Sequence, residues 1–361
     1  MTRDTKDALI VTNCGAEAIS FLKVYGVIPA ATAFMITYSR LASSFSPKSL
    51  FYITLFPFLL FYAAFAFILY PARNILHPMS LNVPDGGMAY VINLLRHWTF
   101  SLYYIVSELW GSAGVPLLFW SCANDVVKIE EAKRIYPLIS LIGNLGPILS
   151  GITMSTISKA IENSSTGDEE SFEKSLKTLT VFMTAAGALV ASLHWYVHKL
   201  DERDNRGQNT NLKENVEMNT VEKESKPRLS LSESMKVLAA DKYLRNIAIM
   251  VVCYGLSIEF TEIIWKSTVK RAFPGKTDYL NFMGRYSTMV GMSSFVMTFI
   301  GSGIVKSLGW RAGALMTPVV MGVLGLPFFA SICFGLESRR SLFIAVYVGK
   351  QFLNSQIIVS S

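Results

Sequence analysis

The chain has 361 residues, 51% of them hydrophobic and 16% charged, with a net charge of +7 and a mean hydropathy of +0.38. Soluble domains carry about 25% charged residues, and uncharged runs longer than about 20 residues suit a bilayer-spanning helix, so a soluble two-domain protein, a disordered chain, a collagen and a coiled coil are all excluded. The basic excess sits mainly between the apolar runs, where Lys and Arg orient helices and meet lipid headgroups, so it does not point to nucleic acid.

The predicted spans, taken in order, begin with residues 24–39, closed by Lys23 and Arg40, and 49–72, which is uncharged. Next come 97–123 with Glu108 as the sole charge, 135–158, and 178–198. After a polar stretch the series resumes at 245–265, which holds Glu259 and Glu262, then 280–305 with Arg285, and 312–336. A final apolar run from Ser341 is interrupted by Lys350. Aromatic residues gather at span ends, as interfacial belts require. Prolines inside spans (Pro29, Pro57, Pro116, Pro137, Pro147, Pro318, Pro327) are tolerated in membrane helices where neighbours or a water-filled cavity satisfy the freed carbonyls. So many broken helices suggest bundles that move.

Residues 199–243 are rich in Asn, Glu and Lys and too poor in apolar residues to fold alone. They read as a cytosolic linker, ending in a Ser-capped amphipathic helix, "SLSESMKVLAADKYLRNI", at the membrane surface. The implied organisation is an amino-terminal helical bundle over 1–198, the linker with its amphipathic segment over 199–243, and a partial carboxy-terminal bundle over 244–361. A faint internal repeat supports it. "SRLASSFSPKS" and "SGIVKSLGWRAG" each read as a short basic turn between two helices, and "RDTKDALIVT" pairs with "WKSTVKRAFP", both at an offset of about 260 residues. Two halves joined by a polar loop is the build of major-facilitator-type transporters.

Chemistry-bearing residues are sparse. Glu108 lies mid-span, where a carboxylate costs about 2.5–3.5 kcal/mol and normally faces a cavity or a partner. It reads as part of a transport path, or alternatively as a hydrogen-bonded structural group. Glu259 and Glu262 share one helical face and could add a second acidic point, although Glu262, four residues before Lys266, could equally form an interfacial salt bridge. Lys23 at a span boundary reads by itself as a snorkelling side chain. Arg3, Lys6 and Lys266 read as ordinary loop charges. Arg285 lies near the start of its span, within reach of water. Asn124 and Asp125 close the third span, and Asn144, in a Gly/Pro-broken helix, offers donors suited to a ligand.

Other motifs fail. "GKT" at Gly275–Thr277 lacks the earlier glycine of a phosphate-binding loop, Lys270 standing in its place, and no strand precedes it. "GSG" at Gly301–Gly303 is helix packing, and Asn163-Ser164-Ser165 is a glycosylation sequon by pattern only. Four scattered cysteines and four dispersed histidines suggest neither a disulfide framework nor a metal site, and His194 and His198 read as interfacial side chains. No nucleophile–base set is visible, and no cofactor is expected.

The strings "FYAAFAFILYPARNILHP", "SELWGSAGVPLLFWSCAND", "EEAKRIYPLISLIGNLGPILSG" and "FTEIIWKSTVKRAFPGKTDYLNFMGRYSTMVG" resemble the ATP/ADP translocases of plastids and of obligate intracellular bacteria. The resemblance runs from Arg3 to about Gly349. It implies an all-α polytopic protein of major-facilitator-like, two-bundle fold, with about eight or nine of about twelve transmembrane helices present. It further implies counter-exchange of ATP for ADP, with phosphate accompanying, and no hydrolysis. The family's transport residues fall on Lys23, Glu108 and Glu262. Arg285 and Asn144 complete the candidate set for substrate binding. The family has a helix before "RDTKD", and three more helices with a further functional lysine after "AVYVG", so the chain is expected to be incomplete at both ends. Two rivals remain: a nucleotide transporter of broader specificity or coupled to protons, and a non-transporting membrane interaction protein. The expected location is the plastid inner envelope, or else the plasma membrane of an intracellular bacterium or parasite.

Overall fold

A computed structural model describes residues 1–78, 80, 86–126, 135, 138, 139, 141–165, 167–209 and 239–334. Among these residues the elements are helices and turns. They are α1 (Thr2–Cys14), α2 (Ala18–Ser44), α3 (Pro47–Leu69), α4 (Arg73–Leu76), α5 (Met88–Arg96), α6 (Trp98–Leu109, continuing as Trp110–Gly114 and Val115–Val126), α7 (Leu145–Glu162), α8 (Asp168–Asn209), α9 (Lys242–Ala272) and α10 (Lys276–Cys333). Among the described residues, five stretches are long and apolar enough to cross a membrane: Ala18–Ser44, Pro47–Leu69, Trp98–Ala123, Asp168–Leu200 and Lys242–Ala272. Their surfaces leave large apolar side chains such as Leu60, Ile68, Leu189 and Met250 exposed, which suits lipid as the surrounding solvent. This is a multi-pass membrane protein.

The chain divides into two compact units. One comprises Met1–His194 together with Ile263–Ser361, the other Trp195–Glu262. The smaller unit holds the end of α8, where the Lys199 ammonium lies 4.5 Å over the Trp195 ring, and most of α9. Asp241 caps α9, its Oδ1 accepting the backbone N–H of Tyr243 at 2.7 Å and of Leu244 at 3.1 Å. The serine cap expected upstream lies outside the described residues.

At the centre of the larger unit sits α1, buried continuously from Asp4 to Val11. Ala8–Val11 share one buried apolar cluster with Tyr62, Phe65, Tyr103, Tyr104, Trp265 and Val269. The expectation that Lys6 and Lys266 are loop charges is therefore wrong: both are helical and buried, at 4% and 3% exposure. The first span also begins earlier than its hydropathy suggested, at Ala18. The turn expected from "SGIVKSLGWRAG" is absent, since α10 runs helical from Lys276 to Cys333 through it; no proline interrupts that string, and isolated glycines weaken a helix without ending it. Likewise α8 continues to Asn209, eleven residues into the expected linker, because nothing in "DERDNRGQN" forbids helix.

Three membrane helices contain a π-helical turn, at Leu22–Val27, Phe65–Leu69 and Trp110–Gly114. Each is followed two residues on by a proline: Pro29, Pro71 and Pro116. Proline lacks the N–H of the helical ladder, and its ring clashes with the carbonyl four residues back. Widening the preceding turn moves that carbonyl aside, so the prolines account for the placement of the bulges.

The segments before and after the linker meet along α7 and α10, and glycine makes their approach possible. A Cβ on Gly284 would stand 2.9 Å from the Ser155 nitrogen, and one on Gly291 would stand 2.7 Å from Ile148 Cγ1. A Cβ on Gly151 would collide with the Gly284 carbonyl oxygen. Gly151→Leu should cost about 1–3 kcal/mol or more through overpacking and lower the melting temperature in detergent, whereas Gly255→Ala, inside α9 with nothing within 4 Å of the new Cβ, should raise it slightly, by the up to about 1 kcal/mol that alanine gains over glycine in a helix.

Beside α4, His77 lies buried with Nε2 2.7 Å from Thr99 Oγ1 and its ring edge-on to Phe100. Burial, with the positive charges of His97 and Arg73, pushes its pKa down to about 4. A folded pKa below the unfolded value gives stability that is present above about pH 6.5 and lost as pH falls through 4. Melting curves should therefore weaken over that window, and His77→Gln should flatten the dependence.

Candidate substrate site: a buried ion network

Glu108 lies ten residues into the third apolar span, directly before the π turn Trp110–Gly114, where the Ser112 hydroxyl donates to the Glu108 carbonyl oxygen at 2.6 Å. Its carboxylate receives Lys6 Nζ from α1 at 2.7 Å. Lys6 also reaches Asp7 Oδ1 at 2.9 Å and sits 4.1 Å over the Tyr104 ring. The other oxygen of Asp7 takes Lys266 Nζ, from α9, at 2.8 Å. Two lysines and two carboxylates thus form one chain of contacts with a formal charge of zero. The side chains of Lys6, Asp7 and Lys266 are 5%, 1% and 3% exposed, while Glu108, at 24%, is the end open to solvent. Burial disfavours the charged ammonium of Lys6, but the adjacent negative charges of Asp7 and Glu108 outweigh it and hold its pKa above the ordinary lysine value.

Further contacts join α1 and the start of α8 to the segment after the linker. Ser287 Oγ donates to Asp4 at 2.8 Å, Ser267 Oγ to Glu17 at 3.0 Å, and Lys276 Nζ to Asn13 at 3.1 Å. Lys276 also pairs with Glu169 at 2.7 Å. The Asp168 carboxylate accepts the backbone N–H groups of Lys276 and Thr277 at 2.8 and 2.9 Å. The "GKT" string therefore does open a helix that binds an anion, and the anion is a carboxylate of the same chain.

The candidate residues read from the sequence fall unevenly about this network. Glu108 is part of it. Lys23 lies half-buried within the first π turn, on the helix whose Gly26 packs against Ile105, one turn before Glu108. Glu262 is half-buried on α9, in the smaller unit. Arg285 is exposed on α10, outside the network. Asn144 is spent on packing, its amide donating to Thr298 Oγ1 at 3.0 Å. The side chains of Asn124 and Asp125 lie outside the described residues. His194 is buried rather than interfacial, its ring stacked on Phe51 at 3.6 Å and 3.3 Å from the Tyr52 hydroxyl.

Sequence reading missed Asp7, Lys6 and Lys266. The only hint was that Lys6 and Lys266 stand 260 residues apart, close to the offset at which "RDTKDALIVT" and "WKSTVKRAFP" pair. One turn beyond Glu108 is a cavity of about 470 Å³, whose walls include Met35, Tyr38, Ser112 and Trp120.

The model of the family described as TLC ATP/ADP transporter matches residues 1–359. The chain belongs to the TLC family. Curated relatives agree with that membership. An ADP,ATP carrier protein 1 of Chlamydia trachomatis is 38% identical over 96% of this chain and 67% of its own length. The chloroplastic ADP,ATP carrier protein 1 of Arabidopsis thaliana is 36% identical over 96% of this chain and 56% of its own. An ADP,ATP carrier protein 3 of Rickettsia bellii is 34% identical, covering 96% and 72%. The chain thus spans little more than half the length of its plastid relative and about two thirds of the chlamydial one. No solved structure matches it.

Removing one partner of a buried ion pair leaves the other charge uncompensated, at about 3–5 kcal/mol. Lys266→Met should therefore cause a large loss of thermal stability. Arg73→Met breaks a pair with the 39%-exposed Glu173 and should cost about 1 kcal/mol or less in the same assay.

Proposed function

We propose that this TLC-family chain exchanges ATP for ADP across a membrane by alternating access, with the nucleotide as cargo and no hydrolysis. The observation that carries the reading is the buried Glu108–Lys6–Asp7–Lys266 network, in which polar side chains from before and after the linker converge within an apolar helical protein. Charged groups at such depth are costly and mark a solute pathway. The names of the relatives supply the solute.

Two halves, 1–198 and 244–361, rock about the network, with 199–243 as the tether between them. Glu108, at the open end, accepts hydrogen bonds from the adenine amine or ribose hydroxyls, or holds Lys6 when the site is empty. Tyr38 and Trp120 give the base an aromatic surface in the cavity that Ser112, whose hydroxyl bonds the Glu108 carbonyl, also lines. Lys23, Glu262 and Arg285 serve as further charged contacts, and phosphate accompanies the nucleotides. Proline-relieved π turns beside Lys23 and Glu108 leave the helices adjustable where substrate is held.

Intact bacterial cells expressing the chain should accumulate radiolabelled ATP and release the label when external ADP is added. Glu108→Gln should cut the exchange rate at least tenfold, since it removes one charge from the network while keeping the shape. Uptake that proceeds without any counter-nucleotide and follows external pH would replace exchange with proton coupling.

A further inference from the structure

Asp7 has both oxygens committed to lysines, one from each half of the chain. Those lysines stand 260 residues apart in the sequence and present one ammonium each to a single small anion. Converging ammonium groups at 2.8–2.9 Å from two oxygens of one acid form the donor set that a phosphate group takes. When the halves part, Lys266 and Asp7 give up the 2.8 Å contact between them, and each loses one charged neighbour. A polyanion entering past Glu108, the exposed end of the chain of contacts, can take both ammonium groups.

We propose that Lys6 and Lys266 are the ligands for the nucleotide's phosphates, and that Asp7 is the resident anion that holds the pair together while no nucleotide is bound. The inference rests on the exchange reading and deepens it, for it assigns the phosphate end of the site to residues outside the set drawn from the sequence. Asp7 and the phosphate chain compete for the same two donors. Nucleotide binding and separation of the halves are thereby linked, because a ligand shifts a conformational equilibrium only by its differential affinity for the two states.

The test is equilibrium binding to the purified full chain in detergent, with ATP, ADP, AMP, adenosine and inorganic tripolyphosphate as probes. Asp7→Asn, which removes the competing anion, should tighten ATP and tripolyphosphate about tenfold or more and leave adenosine unchanged. Lys266→Gln should weaken ATP at least tenfold and shrink the gap between ATP and adenosine. Should Asp7→Asn not fold, the wild-type chain decides through isotope-edited infrared spectra with carboxyl-labelled aspartate. ATP and tripolyphosphate should then shift a carboxylate band that is lost in Asp7→Glu, and adenosine should not. Wild type that binds ATP with no such shift, or an Asp7→Asn affinity equal to or weaker than wild type, overturns the lysine-pair assignment and leaves exchange standing. Wild type that binds no adenine nucleotide overturns both.

Discussion

The fold is organised around one carboxylate that has nowhere to go. Asp7 is 1% exposed, lies on a helix enclosed on every side, and accepts a lysine at each oxygen. Taking four ionised groups out of water is expensive, and only close mutual contact makes it tolerable. That requirement fixes much of the rest. It places α1 between α6 and α9, turns Glu108 inward, and holds the segments before and after the linker in one register. The apolar packing of Tyr62, Tyr103, Tyr104 and Trp265 then closes around the charges and keeps water from dispersing them.

Second in importance are the prolines. In a soluble helix each would cost about 3 kcal/mol and end the element. Here Pro29 and Pro116 each follow a widened turn and the helix continues with its carbonyls displaced, whereas at Pro71 the helix has already ended, at Leu69. Two of those turns lie at Lys23 and just past Glu108. Charged groups and softened backbone thus occupy the same levels of neighbouring helices, an arrangement that packing alone does not require.

Much of this was legible in the residues, and the failures share one cause. Uncharged runs identified the membrane helices, and the mid-span position of Glu108 marked it as a residue that must face a cavity or a partner, which is Lys6. The prolines announced broken helices, although not that the break would be a π turn. By contrast, "RDTKD" looks like a loop to any hydropathy argument, since a charge reads as exposure until its partner is known. For Asp7 that partner is Lys266, 259 residues away, and no local pattern contains it. Glu108 was visible because its neighbours in sequence are apolar, whereas Lys6 and Lys266 were hidden because theirs are polar. The same reasoning misjudged "SGIVKSLGWRAG", where charge and glycine resemble a turn but neither ends a helix. Asn144 shows the opposite error, a polar residue at depth whose amide serves Thr298 and the packing of α7 on α10.

The glycine seam between α7 and α10 bears on how such a molecule could change shape. Where helices meet through interlocked side chains, displacement must jump from one groove to the next, because ridges and grooves are discrete. At Gly151, Gly284 and Gly291 the two helices come close, and one side of each contact carries no side chain to disengage. A surface of that kind acts as a smooth bearing: one helix can roll on the other by small angles while each keeps its own hydrogen-bond ladder. The ions at Asp7 then set the resting position, and the glycines set how little it costs to leave it.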